Sequence, residues 1–466
     1  MLQISVNGLD KRPLTSRRLF LRTSLATAGA LSLPSLLEQR ATAAATAGRA
    51  PKDTAVILLW LAGGPSHMDM YDMKPEAPVE YRGFYRPIRT NVSGIDICEL
   101  MPRQAKLMDR LSILRSMHIG TSEHPLGTAW MATGYEGPTL QNEKPVHPCA
   151  GSITAKLRGP NSPGMMPYVH IAPPPHEGLG NIPYHSATYL GPTYDPFLVR
   201  SARKKPDVDR IKLDNLIGKV QFEVPNLQLL PDMEVGRLQD RAHLLKQVDQ
   251  LTRLVDTTGV VDAMGTYHAK ALSMLTSQGS RTAFDLSRED PRLRQRYGMN
   301  AWGQGALLAR RLVEAGVTFV TLNTDSSFGQ WDTHQRLKPQ FDEMLPVYDQ
   351  LLATLIEDLE ARGLYDRVLV VVCGDFGRTP KVNRHAGRDH WGPSGFALLG
   401  GGGLQGGVVV GSTTAKGEVP KTRPLGPEDL WATVYHVLGI DPRHEFPDHA
   451  GRPFPISTGD PVHELL

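Results

Sequence analysis

The chain has 466 residues, 40% apolar and 21% charged, a composition that allows a large buried core. Its formal charge of +3 is too small to imply a polyanionic partner such as nucleic acid. Three cysteines, Cys98, Cys149 and Cys373, cannot make a disulfide framework and offer no metal-binding pair. A Cys98–Cys149 bridge stays open, while Cys373, inside an apolar run, is expected to pack as a small hydrophobe.

Residues 16–23 read "SRRLFLRT", and the pair Arg17–Arg18 before Leu19, Phe20 and Leu21 resembles a twin-arginine export signal. A short apolar stretch broken by Pro34 follows, then the small residues Ala41 to Ala47, which suit cleavage. Residues 1–47 are therefore set apart as a signal peptide, which implies the twin-arginine translocation machinery as a partner and a periplasmic or extracellular location. No segment is apolar enough to predict a stable transmembrane span.

"TAVILLWLAGG" (Thr54 to Gly64) is an unbroken apolar run ending in two glycines, as expected of a strand buried on both faces. Leu111 to Met117 and Pro167 to Ala172 are further strands, with a helix-like stretch, Gly127 to Gly134, between them. Residues 173–232 show no period and read as loops. Residues 234–278 read as a helical insertion, so 173–298 is expected to be loop-rich and helical. Helices are expected from Trp302 to Ala315, from Pro339 to Arg362 and from Pro427 to Gly439. Strands are expected over Val317–Thr324, Arg367–Gly374 and near Gly395 and Val408. This alternation predicts an α/β fold, a mainly parallel central sheet with helices on both faces, over residues 48–450. A tail is expected over 451–466.

In such a sheet ligands bind at the carboxyl ends of the strands. Polar clusters leave three of those ends. Ser66, His67, Asp69 and Asp72 follow Gly63–Gly64; Asp325, Asp332 and His334 follow the strand ending near Asn323; Asp375 and His390 follow Cys373. His124 lies after the second strand. Carboxylate mixed with imidazole suits a divalent metal of the Zn, Mn or Fe kind, and carboxylate alone would favour Ca or Mg. Singly, each has a structural reading: Asp375 in a turn, Asp332 as a cap, His390 as a buried bonded ring, His67 ordering the glycine turn. "DFG" at 375–377 is no kinase motif, because no glycine-rich phosphate loop or H-R-D loop accompanies it.

"WLAGGPSHMDMYDMKP", "HPLGTAWMATG", "WDTH", "GDFGRTP" and "GRDHW" resemble the family called domain of unknown function 1501, and more loosely the alkaline phosphatase and sulfatase superfamily, over roughly residues 50–445. The resemblance implies an alkaline phosphatase-like fold with two metal ions at the sheet edge and a nucleophile between them at the start of a helix. It implies one ion on Asp332, His334 and His390. For the second it offers Asp375, but Phe376 replaces the expected His and Gly63 or Gly64 the expected Asp, so His67 or Asp69 would reach back. Counting back from Thr133–Gly134 puts His124 at the nucleophile's place, read as a metal ligand in preference to an unusual nucleophile or a remnant. Ser122 and Thr121 lie near it. No Cys-x-Pro-x-Arg sequence is present, which disfavours a formylglycine sulfatase.

The function expected is an exported, metal-dependent hydrolase of phosphate or sulfate esters. Zn is the first choice of cofactor, with Mn, Fe or Ca as others, and the substrate is a small-molecule or polysaccharide ester. The nucleophile would be a water activated by the ion, or the hydroxyl of Ser122 or Thr121. Arg378, Arg388 and Lys381 would neutralise the ester oxygens, and Asp389 would orient His390 or Arg388. The alternative is a non-catalytic exported protein of the same fold that binds sulfated or phosphorylated glycans or serves in the cell envelope.

Overall fold

The computed structural model describes residues 53–137, 146–172, 182–202, 221–223, 278–324 and 331–466. The expected signal peptide, Asp325 and all but the last residue of the helical pattern at 234–278 lie outside these residues. Among the described residues no helix is long and apolar enough to cross a membrane.

Strand β1 (Ala55–Leu61) is buried along its whole length. Ala55, Ile57, Leu59 and Leu61 enter one core, and Val56, Leu58 and Trp60 enter the other. Side chains alternate between faces along a strand, so a strand covered on both sides reads as a near-continuous apolar run. β2 (Leu111–Met117), β3 (Tyr168–Ala172), β4 (Phe197–Ala202), β5 (Gln221–Glu223), β6 (Phe319–Asn323), β7 (Val368–Gly374), β8 (Gly395–Gly401) and β9 (Val409–Val410) complete the sheet, in the order β9-β2-β8-β7-β1-β6-β3-β4-β5. β7, β1, β6, β3 and β4 are parallel. β8, between β7 and β2, and β5, beside β4, run against their neighbours.

One face is covered by α3 (Ala301–Ala315) and α4 (Leu337–Ala361). The other is covered by α1 (His124–Thr133), α2 (Ala150–Arg158) and α5 (Pro427–Val437). α3 starts where Asn300 Oδ1 accepts the Gly303 N–H at 2.8 Å and stops at Gly316, φ 111°. The parallel strands align their ends: Trp60 pairs with Asn323 on one side and with Cys373 on the other. The polypeptide after β1, β6 and β7 therefore leaves one edge of the sheet side by side.

The structure adds two features at the periphery. The region 173–298 is not wholly loop and helix, because β4 and β5 lengthen the sheet, and helices Gln278–Phe284 and Pro291–Tyr297 pack against α3. The β4 sequence, FLVRSA, is neither an unbroken apolar run nor a strict alternation, so it gave no strand signal. Nor is 451–466 a loose tail: Phe454 pairs with Phe446 in a hairpin, and Ile456, Val462 and Leu465 are buried in the core. All three cysteines are free and buried, so the Cys98–Cys149 bridge is absent. Cys373 packs in the core.

Leu465 is fully buried. Leu465→Ala is expected to cost about 2–5 kcal/mol of unfolding free energy in urea titrations. A dispensable tail would show no change.

Candidate metal centre

The turn after β1 lets three loops meet. Gly63 and Gly64 have φ of 100° and 82°, which side chains rarely adopt, and both are closely overlain. A Cβ on Gly63 would stand 2.8 Å from the Asp332 nitrogen, and one on Gly64 2.8 Å from the Phe376 ring. Only a bare backbone allows the Asp332 and Asp375 loops to close over this turn.

Three imidazoles face the Asp332 carboxylate. His390 Nε2 and His334 Nε2 each lie 3.0 Å from its Oδ1, and His124 Nε2 lies 3.4 Å from its Oδ2. His334 Nε2 and His390 Nε2 are 2.9 Å apart. The ring nitrogens on the far side are held as well. His390 Nδ1 donates to the Ser122 carbonyl, His124 Nδ1 pairs with Asp375 Oδ2, and His334 Nδ1 pairs with Asp389 Oδ1, each at 2.8 Å.

A neutral imidazole has one N–H and one lone pair. Each of these rings meets an oxygen acceptor at both ends. If its N–H serves the far side, its Nε2 lone pair points at a carboxylate, which is repulsive unless a proton or a cation lies between them. Three added protons would crowd three positive rings around one carboxylate, whereas one divalent cation satisfies all three lone pairs together. The spacings suit this. Ligand atoms around a tetrahedral zinc ion, with bonds of about 2.0–2.1 Å, stand ~3.3 Å apart, and the offered atoms of His124, Asp332 and His390 all lie within 4.8 Å of one another. His124 Nε2 is buried and makes no hydrogen bond. The donor set fits a divalent cation of the zinc kind, and far-side acceptors that orient each ring are what such ligands require.

The charges agree. Burial works against charge on His124, but the Asp332 and Asp375 carboxylates outweigh it and lift its pKa to about 9. Burial pushes the Asp332 carboxyl up, but His124, His390 and Arg378 outweigh it and hold the group well below the usual carboxylate range. Arg378 is fully buried: Nη2 donates to Asp332 Oδ1 and the Gly63 carbonyl, Nε to the Gly64 carbonyl at 2.8 Å, and Nη1 to the Arg388 carbonyl at 3.2 Å.

The structure thus brings Asp332, His334, His390 and His124 together and gives seven other candidates different work. Asp375 does not face the ring of donors; its Oδ2 accepts the Gly63 N–H at 3.0 Å and holds His124, and its Oδ1 is buried without a partner. His67 is fully buried, with Nε2 on the Gly417 carbonyl at 3.1 Å and its pKa lowered by burial, so it does not reach back to an ion. Arg378 is spent on Asp332 and backbone carbonyls and presents no donor to an ester. Arg388, also fully buried, pairs with Asp69 at 2.7 Å and donates to the carbonyls of Thr379, Pro380 and Tyr81. Ser122 Oγ accepts the Gly392 N–H at 2.9 Å, and Thr121 Oγ1 accepts the Glu123 N–H at 3.2 Å. Asp389 orients His334 instead of His390 or Arg388. Sequence reasoning missed the Ser122 carbonyl, since a backbone acceptor leaves no signature in residue type. It also gave Asn383 no role.

The chain belongs to the DUF1501 family, described as "Protein of unknown function (DUF1501)", whose model matches residues 53–466. No curated protein matches the sequence. Solved structures with a similar chain path include the PsFucS1 sulfatase from Pseudoalteromonas sp., 12% identical, covering 87% of this chain and 70% of that one, TM-score 0.36. The phosphonate monoester hydrolase SpPMH from Silicibacter pomeroyi is 12% identical, covering 88% and 76%, TM-score 0.36. The alkaline phosphatase from the Antarctic bacterium TAB5 is 12% identical, covering 84% and 99%, TM-score 0.36. The chemistry of the site is read from its own residues.

A cation must displace the proton that His124 carries below about pH 9. Apparent Zn²⁺ affinity is therefore expected to rise with pH, by up to about tenfold per unit for one proton released, and to level off above pH 9. The ion-free protein should behave in the opposite sense. The His124 pKa is raised from its ordinary 6.5, so the stability it lends is complete below pH 6.5 and is lost as pH rises through about 9. Calorimetric titration and thermal unfolding across pH 6–10 check both.

Proposed function

We propose that this chain is an exported, metal-dependent hydrolase of phosphate or sulfate esters. The observation that carries the reading is the set of imidazoles on Asp332, each with an acceptor at both ends. Asp332, His390 and His124 would hold the ion, with His334, whose Nε2 is 2.9 Å from His390 Nε2, as the fourth donor; Zn is the first choice, then Mn, Fe or Ca. When bound, the cation supplies positive charge that polarises an ester oxygen and lowers the pKa of water.

The chain's own residues set the rest. Asp375, fixed by the Gly63 N–H, keeps the His124 Nδ1 proton on the far side of the ring and leaves Nε2 for the centre. The Ser122 carbonyl does the same for His390. Arg378 holds Asp332 ionised and still. The Phe376 ring, itself part of the core, packs against both His124 and His390, with centroids 5.0 and 4.8 Å away. His334, 43% exposed, is the solvent side of the site. The Ser122 and Thr121 hydroxyls each accept one backbone N–H and keep a second lone pair, so the nucleophile is water or one of these hydroxyls. The substrate is a small-molecule or polysaccharide ester, and residues 1–47 would send the folded chain through the twin-arginine machinery to the periplasm or beyond.

A second reading, a non-catalytic glycan-binding or envelope protein, is favoured by one observation: Arg378 and Arg388 are both spent on internal partners. Elemental analysis beside turnover of aryl phosphate and aryl sulfate esters separates the two. Metal with turnover supports the hydrolase, and neither, with saturable glycan binding, supports the second. In the first case Asp332→Ala is expected to lose tight metal binding and at least about 100-fold in kcat/KM. Stoichiometric metal retained in that variant would count against the assignment.

A further inference from the structure

We infer that Asn383 is a positioning residue of the centre, fixing the direction of the His334 ring by holding both the His334 backbone and the ring's acceptor, Asp389, on one side-chain amide. The inference rests on reading the centre as a cation site. Asn383 Nδ2 donates to the His334 carbonyl at 2.9 Å and to Asp389 Oδ1 at 3.1 Å. Its Oδ1 accepts the N–H groups of His385 at 2.9 Å and Gly387 at 3.1 Å. An amide offers two N–H donors and one oxygen with two lone pairs, so its capacity is fully used. Asp389 Oδ1 in turn pairs with His334 Nδ1 at 2.8 Å. The links close on themselves, from the His334 backbone through Asn383 and Asp389 to the His334 ring. Turning the imidazole breaks the circuit.

His334 needs such a device more than its neighbours do. Its side chain is 43% exposed, against 11% for His124 and 20% for His390, so packing does little to hold it. The surrounding seam is built to keep its shape. The Arg336 N–H donates to the His385 carbonyl at 3.0 Å and the Leu337 N–H to the Ala386 carbonyl at 2.9 Å. Arg336 and Ala386 stand at φ 51° and 55°, in the left-handed region that non-glycine residues enter only where their surroundings hold them there. Asn383 ties the two segments of this seam together.

Asp has the shape of Asn but no N–H. In Asn383→Asp a second carboxylate would face Asp389 and the His334 carbonyl, and Asp389 would leave the ring. Losing the partner that orients a ligand costs about 10–100-fold in metal affinity.

The test uses the full chain. Zn²⁺ affinity is measured by chelator competition and the Co²⁺ complex by its visible spectrum, in wild type, Asn383→Asp, His334→Ala and the double variant. Ion-free thermal unfolding is the control for folding. The expected result is a 10–100-fold weaker Zn²⁺ affinity and an altered Co²⁺ spectrum in Asn383→Asp, with no further loss when it is added to His334→Ala, because both act through one ring. Wild-type affinity and spectrum in Asn383→Asp, or an equal loss in the His334→Ala background, overturns the inference. If Asn383→Asp does not fold, Asn383→Ala decides by the same comparison. A wild-type chain that binds neither ion overturns the inference too, and identifies the cation reading as the part at fault.

Discussion

The Asp332 carboxylate, shared by Arg378 and three imidazoles, is the interaction on which the rest of the site depends. A buried guanidinium has a large desolvation penalty, repaid only when its donors are all used. Arg378 offsets it with four hydrogen bonds, to Asp332 and to the carbonyls of Gly63, Gly64 and Arg388. It thereby joins the turn after β1 to the loop after β6, from a position in the loop after β7. The same carboxylate faces the three imidazoles.

This explains the glycine pair. A side chain at Gly63 would strike the Asp332 backbone, and one at Gly64 would strike Phe376. An acidic residue at either place would also put a second negative charge beside Arg378 and draw it from Asp332. The second buried pair, Arg388 with Asp69, performs the matching task one layer out. Ser66 donates to the same Asp69 Oδ2 at 2.6 Å, so the 66–83 and 379–391 segments are locked at one carboxylate. Two arginines that look like free anion binders in the sequence are internal struts, and what they confer is the relative placement of loops.

Around that frame the orienting acceptors are of different kinds: a carboxylate from β7's end for His124, a backbone carbonyl for His390, and an exposed carboxylate for His334. The protection differs accordingly. Burial keeps His124 and His390 in place, and hydrogen bonding through Asn383 replaces burial for His334.

The sequence by itself determined the central layer and its polarity. The continuous apolar runs of β1 and β7 and the β-rich run of β6 read as strands of a covered sheet, and their polar exits at Asp332, Asp375 and His390 share an edge because parallel strands end alike. The strand β4 and the buried segment around Leu465 carried no such signal, since neither is an unbroken apolar run or a strict alternation. Which residues face the centre was decided by the tertiary structure alone. Asp375 and His67 have the residue types of ligands, yet one serves Gly63 and His124 and the other the Gly417 carbonyl. Residue type limits what a side chain can bond to. Only the packing of loops distant in the chain chooses the partner, because burial makes every unpaired polar atom costly and each group must take an acceptor or donor within its reach.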